Sequence, residues 1–294
     1  LKDRLRGSIA PFHTVIATIP FLAIMASALL HAVWNAMARA HKAPGDIIAC
    51  AVMAAGIISL VPLAILGLPP KTAWPWLAAG TVINSIGIRA AMAAYSRTSY
   101  GLAYPIMRAG IPLLALPIAV LMFGEWPSAG GTFGIMLISL AIIMLAFVAR
   151  RAGKAELSGV GFALFAALCG AGYVACDAMG VRLSPNIFSY AFAVAVGNAM
   201  VLALMVRVEG RNPLALLHTY ASRSFAISVL SMASFLIYVW ALNVTPVALA
   251  AALRETSVLF ATAIAAFVLK ERITPLHWCA ALVALAGIVS IRMF

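Results

Sequence analysis

A chain of 294 residues that is 65% hydrophobic, with mean hydropathy +1.07 and 10% charged residues, cannot bury its apolar surface as a soluble globule; soluble domains carry about 25% charged residues. The formal charge of +12 would point to nucleic acid in a soluble protein. Here no basic run with interleaved aromatics, zinc-finger spacing or recognition helix accompanies it, so the cations read as loop and membrane-end residues of an all-α polytopic membrane protein.

A helix needs roughly 20 apolar residues to cross the hydrocarbon. Ten stretches qualify, at 14–37, 46–67, 75–96, 101–123, 129–149, 157–180, 186–206, 225–243, 247–269 and 275–293. The first follows Lys2, Arg4 and Arg6 but is long and lacks a clear small-residue cleavage site, so it reads as a retained helix. Pro44, Pro69, Pro70, Pro127, Pro185, Pro246 and Pro275 punctuate the series, where turns and first helical turns tolerate proline. The fourth stretch also contains Pro105, Pro112 and Pro117. Each removes a helical hydrogen bond, which makes this helix the candidate kinked gating element, with bent packing as the plainer reading. The most polar connectors are 150–154 at the midpoint and 207–223, and no connector is long enough to house a soluble active site. Cys50, Cys169, Cys176 and Cys279 all fall inside apolar stretches and read as small packing residues; no disulfide framework, metal cluster or cofactor site is indicated.

The midpoint connector divides the spans five and five, into 1–150 and 151–294. An odd number per half makes the second half enter from the opposite face, which is an inverted repeat around a central cavity. The register that supports this places Arg108 and Glu125 each 146 positions before Arg254 and Glu271, and Ser85 the same distance before Ser231. A guanidinium inside a membrane helix costs roughly 2.5–3.5 kcal/mol on insertion scales and usually faces protein or a wet cavity. Arg108 and Arg254 lie about 10 Å into their helices. Either they line a polar path, near its two ends if the halves are inverted, or each snorkels to the nearer interface.

Other intramembrane polar groups extend the set. Asp177, the one aspartate in the interior of a span, is a candidate proton carrier or amine ligand, or else the partner of Arg182 a turn further on. Arg89 with Asn84 forms a further candidate in the third helix, and His31, Trp34 and Asn35 a polar-aromatic group in the first. The eighth helix carries Ser228, Ser231, Ser234 and Tyr238 on one stripe, either facing a cavity or back-bonded to helix carbonyls in close packing. Tyr173 and Trp240 are candidate cavity aromatics, whereas Trp74, Trp76, Trp126 and Trp278 read as interface anchors. No HExxH, GxSxG, phosphate loop or paired intramembrane acids occur, so no catalytic residues are assigned and an enzyme is not expected.

The segments 93–145 and 238–291 share an aromatic-bearing helix, a polar turn, a small-residue helix, a Gly-Glu or Lys-Glu pair and a final Gly/Ala-rich helix. With LRETSVLFA (253–261), LKERIT (269–274), LHAVWNAMAR (30–39) and AGYVACDAMG (171–180), they resemble the paired EamA modules of the drug/metabolite transporter superfamily. Within it the chain is most similar to the YddG-type amino-acid exporters. The resemblance implies a ten-helix inverted repeat, alternating access, a cavity bounded mainly by helices 1, 3, 4, 6, 8 and 9, and a bacterial-type inner membrane with cytoplasmic termini. Lysine and arginine instead number six on the terminal side and eleven on the other, which by the positive-inside rule puts the termini outside. Glu125 and Glu271 are family markers at helix ends and read as capping or loop-fixing groups.

The expected function is therefore export of small metabolites, amino acids including aromatic ones first. Drugs, nucleosides or other metabolites are the alternative cargo on the same fold, and a channel or membrane-embedded enzyme is a more distant one. The expected partners are a small-molecule substrate and the lipid bilayer, not nucleic acid, and a monomer is compatible with both.

Overall fold

The computed structural model describes residues 16–41, 43–98, 100–150, 157–267 and 274–293, and every regular element among them is helical. In chain order these are α1 (Thr18–Arg39), α2 (Pro44–Leu66), a 3-10 turn (Lys71–Ala73), α3 (Trp74–Arg97), α4 (Tyr100–Phe123), α5 (Ala129–Arg150), α6 (Leu157–Arg182), α7 (Ile187–Val208), α8 (Pro213–Val244), α9 (Val247–Glu255), α10 (Ser257–Phe267) and α11 (Pro275–Met293). Among the described residues, nine spans are long and apolar enough to cross a membrane, with α9 and the start of α10 forming one of them, and Ala129–Leu145 is a shorter apolar helix. The all-helical, ten-span expectation thus matches the described residues. Glu271, the connector beyond Arg150 and the basic N-terminal residues lie outside them.

Three features depart from the sequence expectation. α8 starts at Pro213, well before 225, because Asn212 caps it: its side chain accepts from the amides of Leu214 (3.0 Å) and Ala215 (3.4 Å), with proline at the first helical position. Its 32 residues are about 48 Å long, more than the roughly 30 Å of hydrocarbon, so α8 projects beyond the bilayer. α4 runs unbroken through Pro105, Pro112 and Pro117. The break falls instead in its repeat counterpart, between α9 and α10 at Thr256, where there is no proline.

Packing follows a pattern that recurs under a five-helix shift. α3 packs on α6 as α8 packs on α1; α4 packs on α6 as α9 and α10 pack on α1; α3 meets α7 as α8 meets α2. Two further large contacts, α2 with α7 and α5 with α11, join helices that are counterparts of each other, and α4 also packs on α5 and α9. Small residues make these approaches possible, as is usual where lipid leaves packing to van der Waals contact. Gly134 and Gly287 face each other across α5 and α11, where a Cβ on Gly134 would lie 2.6 Å from the Gly287 carbonyl oxygen. Large apolar side chains such as Leu121 (84% exposed) and Ile65 (78%) form the lipid-facing surface.

Gly180 is the tightest such contact. A Cβ there would sit 2.1 Å from ring atoms of Tyr190, which is fully buried between α6 and α7. Gly180→Ala is expected to cost about 1–3 kcal/mol through overpacking, read as a lower unfolding midpoint in detergent, with a second substitution Tyr190→Phe recovering little because the ring carbons clash as well.

Candidate functional site

α9 is buried along its whole length except at Arg254. Its first amide, Val247, donates to Glu125 Oε2 at 2.7 Å, and its last turn ends where Thr256 takes the Leu253 carbonyl twice, through its amide (3.2 Å) and its hydroxyl (2.6 Å). A threonine hydroxyl competing for a nearby carbonyl is a local reason for the ladder to stop. The chain restarts at once: the amides of Leu259 and Phe260 return to the Thr256 carbonyl at 2.8 and 3.3 Å. The break thus places Arg254 and Glu255 at the end of one helix and Ser257 at the start of the next, within an intramembrane span.

Arg108 of α4 meets this break. Its Nη1 lies 3.2 Å from Oε1 and 3.1 Å from Oε2 of Glu255, its Nε donates to the Tyr104 phenol oxygen at 3.1 Å, and its Nη2 contacts His31 Nε2. A guanidinium has donors and no acceptor, so His31 Nε2 accepts and the imidazole proton resides on Nδ1. Arg254 reaches the same helix one turn away: its Nη1 donates to Ser27 Oγ at 3.4 Å, and its guanidinium carbon lies 4.0 Å from the Tyr238 ring centroid. Ser27 is itself clasped to α8, its hydroxyl donating to the Ser234 carbonyl (2.7 Å) while the Ser234 hydroxyl donates to the Ser27 carbonyl (2.8 Å). Neither arginine snorkels; the Arg108 side chain is 11% exposed. Nor do they keep to opposite ends, because both converge on α1.

Several buried polar atoms around this cluster have no hydrogen-bond partner among the described residues: His31 Nδ1, Trp34 Nε1, Tyr238 Oη, Glu255 Oε2 and Ser257 Oγ. Glu255 Oε2 keeps its ionic contact with Arg108. Since buried polar groups are normally satisfied, such a concentration marks a place built for something other than packing. His31 Nδ1–H and Trp34 Nε1–H are donors, and their rings meet edge to face at 4.9 Å.

A second polar group lies on α6. Asp177 is 1% exposed, and the Tyr190 phenol, 3.2 Å from the Cys176 carbonyl, is 3.5 Å from its Oδ1. The Tyr173 phenol faces both Asp177 and Asn198, and Asn84 Nδ2 donates to Asn198 Oδ1 at 3.1 Å. Asp177 also lies within electrostatic reach of Arg254. It is not the partner of Arg182, as the spacing of one turn suggested. Arg182 Nη1 pairs with Glu125 Oε1 at 2.6 Å and its Nη2 donates to the carbonyls of Leu242 (3.3 Å) and Thr245 (3.0 Å), at one end of the bundle. Glu125 is therefore the loop-fixing and capping group expected of it.

The structure brings His31, Arg108, Tyr238 and Arg254 into one cluster, with Trp34 against His31, and Asn84, Tyr173 and Asp177 into the adjoining one. Other expected site residues stay outside both. Arg89 pairs with Glu209 at 2.7 Å, with the two side chains 48% and 40% exposed, and so sits at the periphery. Asn35 donates to its own helix at the His31 carbonyl (2.8 Å), and Ser231 to the Ser228 carbonyl (3.0 Å). Ser234 serves the α1–α8 clasp, and Trp240 packs against the main apolar core. Residues outside the expected site set are Glu255, set aside because it points to a different helix face from Arg254, and Ser27, Tyr104, Tyr190 and Ser257. For Glu255 a signal was present, since it is an acid inside a span directly beside an arginine.

A search of curated protein sequences finds no match. A solved structure titled "Crystal structure of protein" is similar at 15% identity over 93% of this chain and 98% of that one, with a TM-score of 0.71, which shows a shared fold. The model of the EamA-like transporter family matches residues 157–293. That stretch includes Asp177, Tyr238, Arg254 and Glu255, so the second half of the chain, from α6 to α11, is the part that is similar to the EamA-like transporter family.

Proposed function

We propose that the chain is a secondary transporter of small metabolites that works by alternating access, and that its cargo is amino acids, aromatic ones included. The observation that carries this reading is the helix interrupted at Thr256, just after Arg254 and Glu255, inside an apolar span and met there by Arg108. Discontinuous membrane helices of this kind form mid-membrane solute sites in many transporters, where helix ends and side chains replace water around the solute. A zwitterion suits the two adjoining clusters. Its carboxylate takes Arg254, whose described contacts are a hydroxyl and a phenol face, and its ammonium turns to Asp177 within reach of the same arginine. The polar-aromatic surroundings, Trp34, Tyr173 and Tyr238, favour a ring-bearing side chain.

Residues 1–150 and 151–294 are read as two five-helix halves in inverted repeat, which the recurring packing pattern supports. The YddG-type likeness extends the reading to an exporter in a bacterial-type inner membrane with cytoplasmic termini, against the loop charges.

Proteoliposomes test it. Radiolabelled L-phenylalanine should show saturable uptake and counterflow, competed by tryptophan and not by a nucleoside or a quaternary ammonium dye. Asp177→Asn should weaken phenylalanine about 10–100-fold, as expected for a lost charge-assisted contact, and leave 3-phenylpropanoate, which has no amine, little changed. Competition by the nucleoside or dye alone would replace the cargo; conductance without counterflow would make the protein a channel.

A further inference from the structure

Glu255 is 3% exposed and already occupies the cation that a solute carboxylate would seek, with both oxygens near Arg108 Nη1 at 3.2 and 3.1 Å. Arg254, the preceding residue, makes no ion pair with a described carboxylate; its contacts are Ser27 and Tyr238. A solute carboxylate and Glu255 are thus chemically equivalent claimants on two neighbouring guanidinium groups. Glu255 is also the last residue of α9, next to the turn at Thr256.

We propose that Glu255 is a displaceable counter-carboxylate. A solute carboxylate arriving at Arg254 takes over Arg108 as well, and Glu255, released from its cation, takes up one proton from hydronium and leaves water. When the solute departs, the acid returns the proton to water and its carboxylate goes back to Arg108. The site therefore binds a carboxylate and a proton together. This deepens the amino-acid reading and rests on it for the ligand class.

The driving physics is the cost of a buried carboxylate without a cation, which a carboxyl group avoids by protonating. The groups around Glu255 single it out as the proton acceptor. From α4 it faces Arg108, which itself holds Tyr104 and His31 of α1; Tyr238 of α8 and Arg254 on its own helix lie within electrostatic reach, with Asp177 of α6 beyond Tyr238. His31 already spends Nε2 on the guanidinium, so a second ring proton would point at a cation. The arginines keep their charge, and Asp177 is engaged by the phenols of Tyr173 and Tyr190 away from Arg108. Among these groups, Glu255 is the acid whose partner changes when an anion binds.

The test is calorimetry of the full chain in detergent with L-phenylalanine and with 3-phenylpropanoate, from mildly acidic to mildly alkaline pH, in two buffers of different ionisation enthalpy. The wild type should take up about one proton per ligand, and affinity should fall by up to about tenfold per pH unit as pH rises. Glu255→Gln should bind both ligands more tightly at alkaline pH and lose the proton uptake together with the pH dependence. A variant that keeps the proton uptake overturns the proposal. So does one that binds more weakly at every pH, which would make Glu255 a positioning residue for Arg108. The proton count on the wild type needs no variant, so a Glu255→Gln chain that fails to fold leaves the test intact. Proton-linked binding of 3-phenylpropanoate without binding of phenylalanine would sink the amino-acid reading and keep this one; phenylalanine binding without proton uptake would do the reverse; binding of neither overturns both.

Discussion

Arg108→Gln is expected to abolish counterflow and to destabilise the bundle, whereas Arg254→Gln should abolish counterflow and leave stability nearly unchanged. The difference follows from what each arginine touches. Removing Arg108 strands Glu255, a buried carboxylate whose oxygens lie 3.1 and 3.2 Å from that guanidinium, and takes a partner from Tyr104 and His31. Breaking one side of a buried ion pair costs about 3–5 kcal/mol. Arg254 meets a serine hydroxyl at 3.4 Å and a phenol ring at 4.0 Å, a cation–π contact worth about 0.5–2 kcal/mol. It also sheds the burden of burying a charge when replaced. Adding Glu255→Gln to Arg108→Gln should recover most of the lost stability, because the stranded charge is then gone, and none of the transport. Equilibrium unfolding in detergent and counterflow in liposomes, measured on the two single variants and the double, check this. Equal destabilisation by Arg108→Gln and Arg254→Gln would contradict the assignment of Glu255 to Arg108, and active Arg108→Gln would remove it from the site.

The convergence of these two arginines has a simple geometric cause. Arg108 is about 12 Å along α4 from one end of the bundle and Arg254 about 10 Å along α9 from the other. Against roughly 30 Å of hydrocarbon, the remaining gap is short enough for two extended arginine side chains to cross. The 146-residue register singled out two arginines that both reach α1, while depth counted along each helix, without side-chain reach, kept them apart. Apolar run length sufficed for the spans, since a stretch with so few charges has no other stable form in lipid. The break at Thr256 was invisible to the same reasoning because the usual breakers are absent there; the prolines of α4 drew attention to the wrong half of the pair. A helix absorbs interior prolines when neighbours satisfy the freed carbonyls, and a single threonine hydroxyl on the Leu253 carbonyl accompanies an interruption without one. Glu255 escaped the sequence reading because neighbours on a continuous helix face different ways. They do so here, and the face that Glu255 takes is the one Arg108 fills.

Glu125→Ala should be the most destabilising single substitution at the end of the bundle where α4, α6, α8 and α9 meet. The carboxylate is 1% exposed; its Oε1 receives Arg182 at 2.6 Å and its Oε2 receives the first amide of α9 at 2.7 Å. Alanine would leave an orphan helix N–H and a guanidinium retaining the Leu242 and Thr245 carbonyls and the Phe123 ring, 4.8 Å from its centre. Losing one partner of such a pair costs about 3–5 kcal/mol. Glu125→Gln keeps an acceptor for Val247 and loses the charge-assisted contact, so about 1.5–3 kcal/mol is expected. Because Glu125 belongs to 1–150 and Arg182 and Val247 to 151–294, this contact ties the two halves together at one end. The proposed rocking of the two halves would have to break that tie in each cycle in which the end opens. Glu125→Gln should therefore populate the form open at this end more than the wild type does, read as faster thiol labelling of Thr245→Cys, a position 1% exposed in this structure. Unfolding titrations of Glu125→Ala, Glu125→Gln and Arg182→Ala give the stability order. Labelling that is equally slow with and without Glu125→Gln would make the contact a static brace rather than a gate.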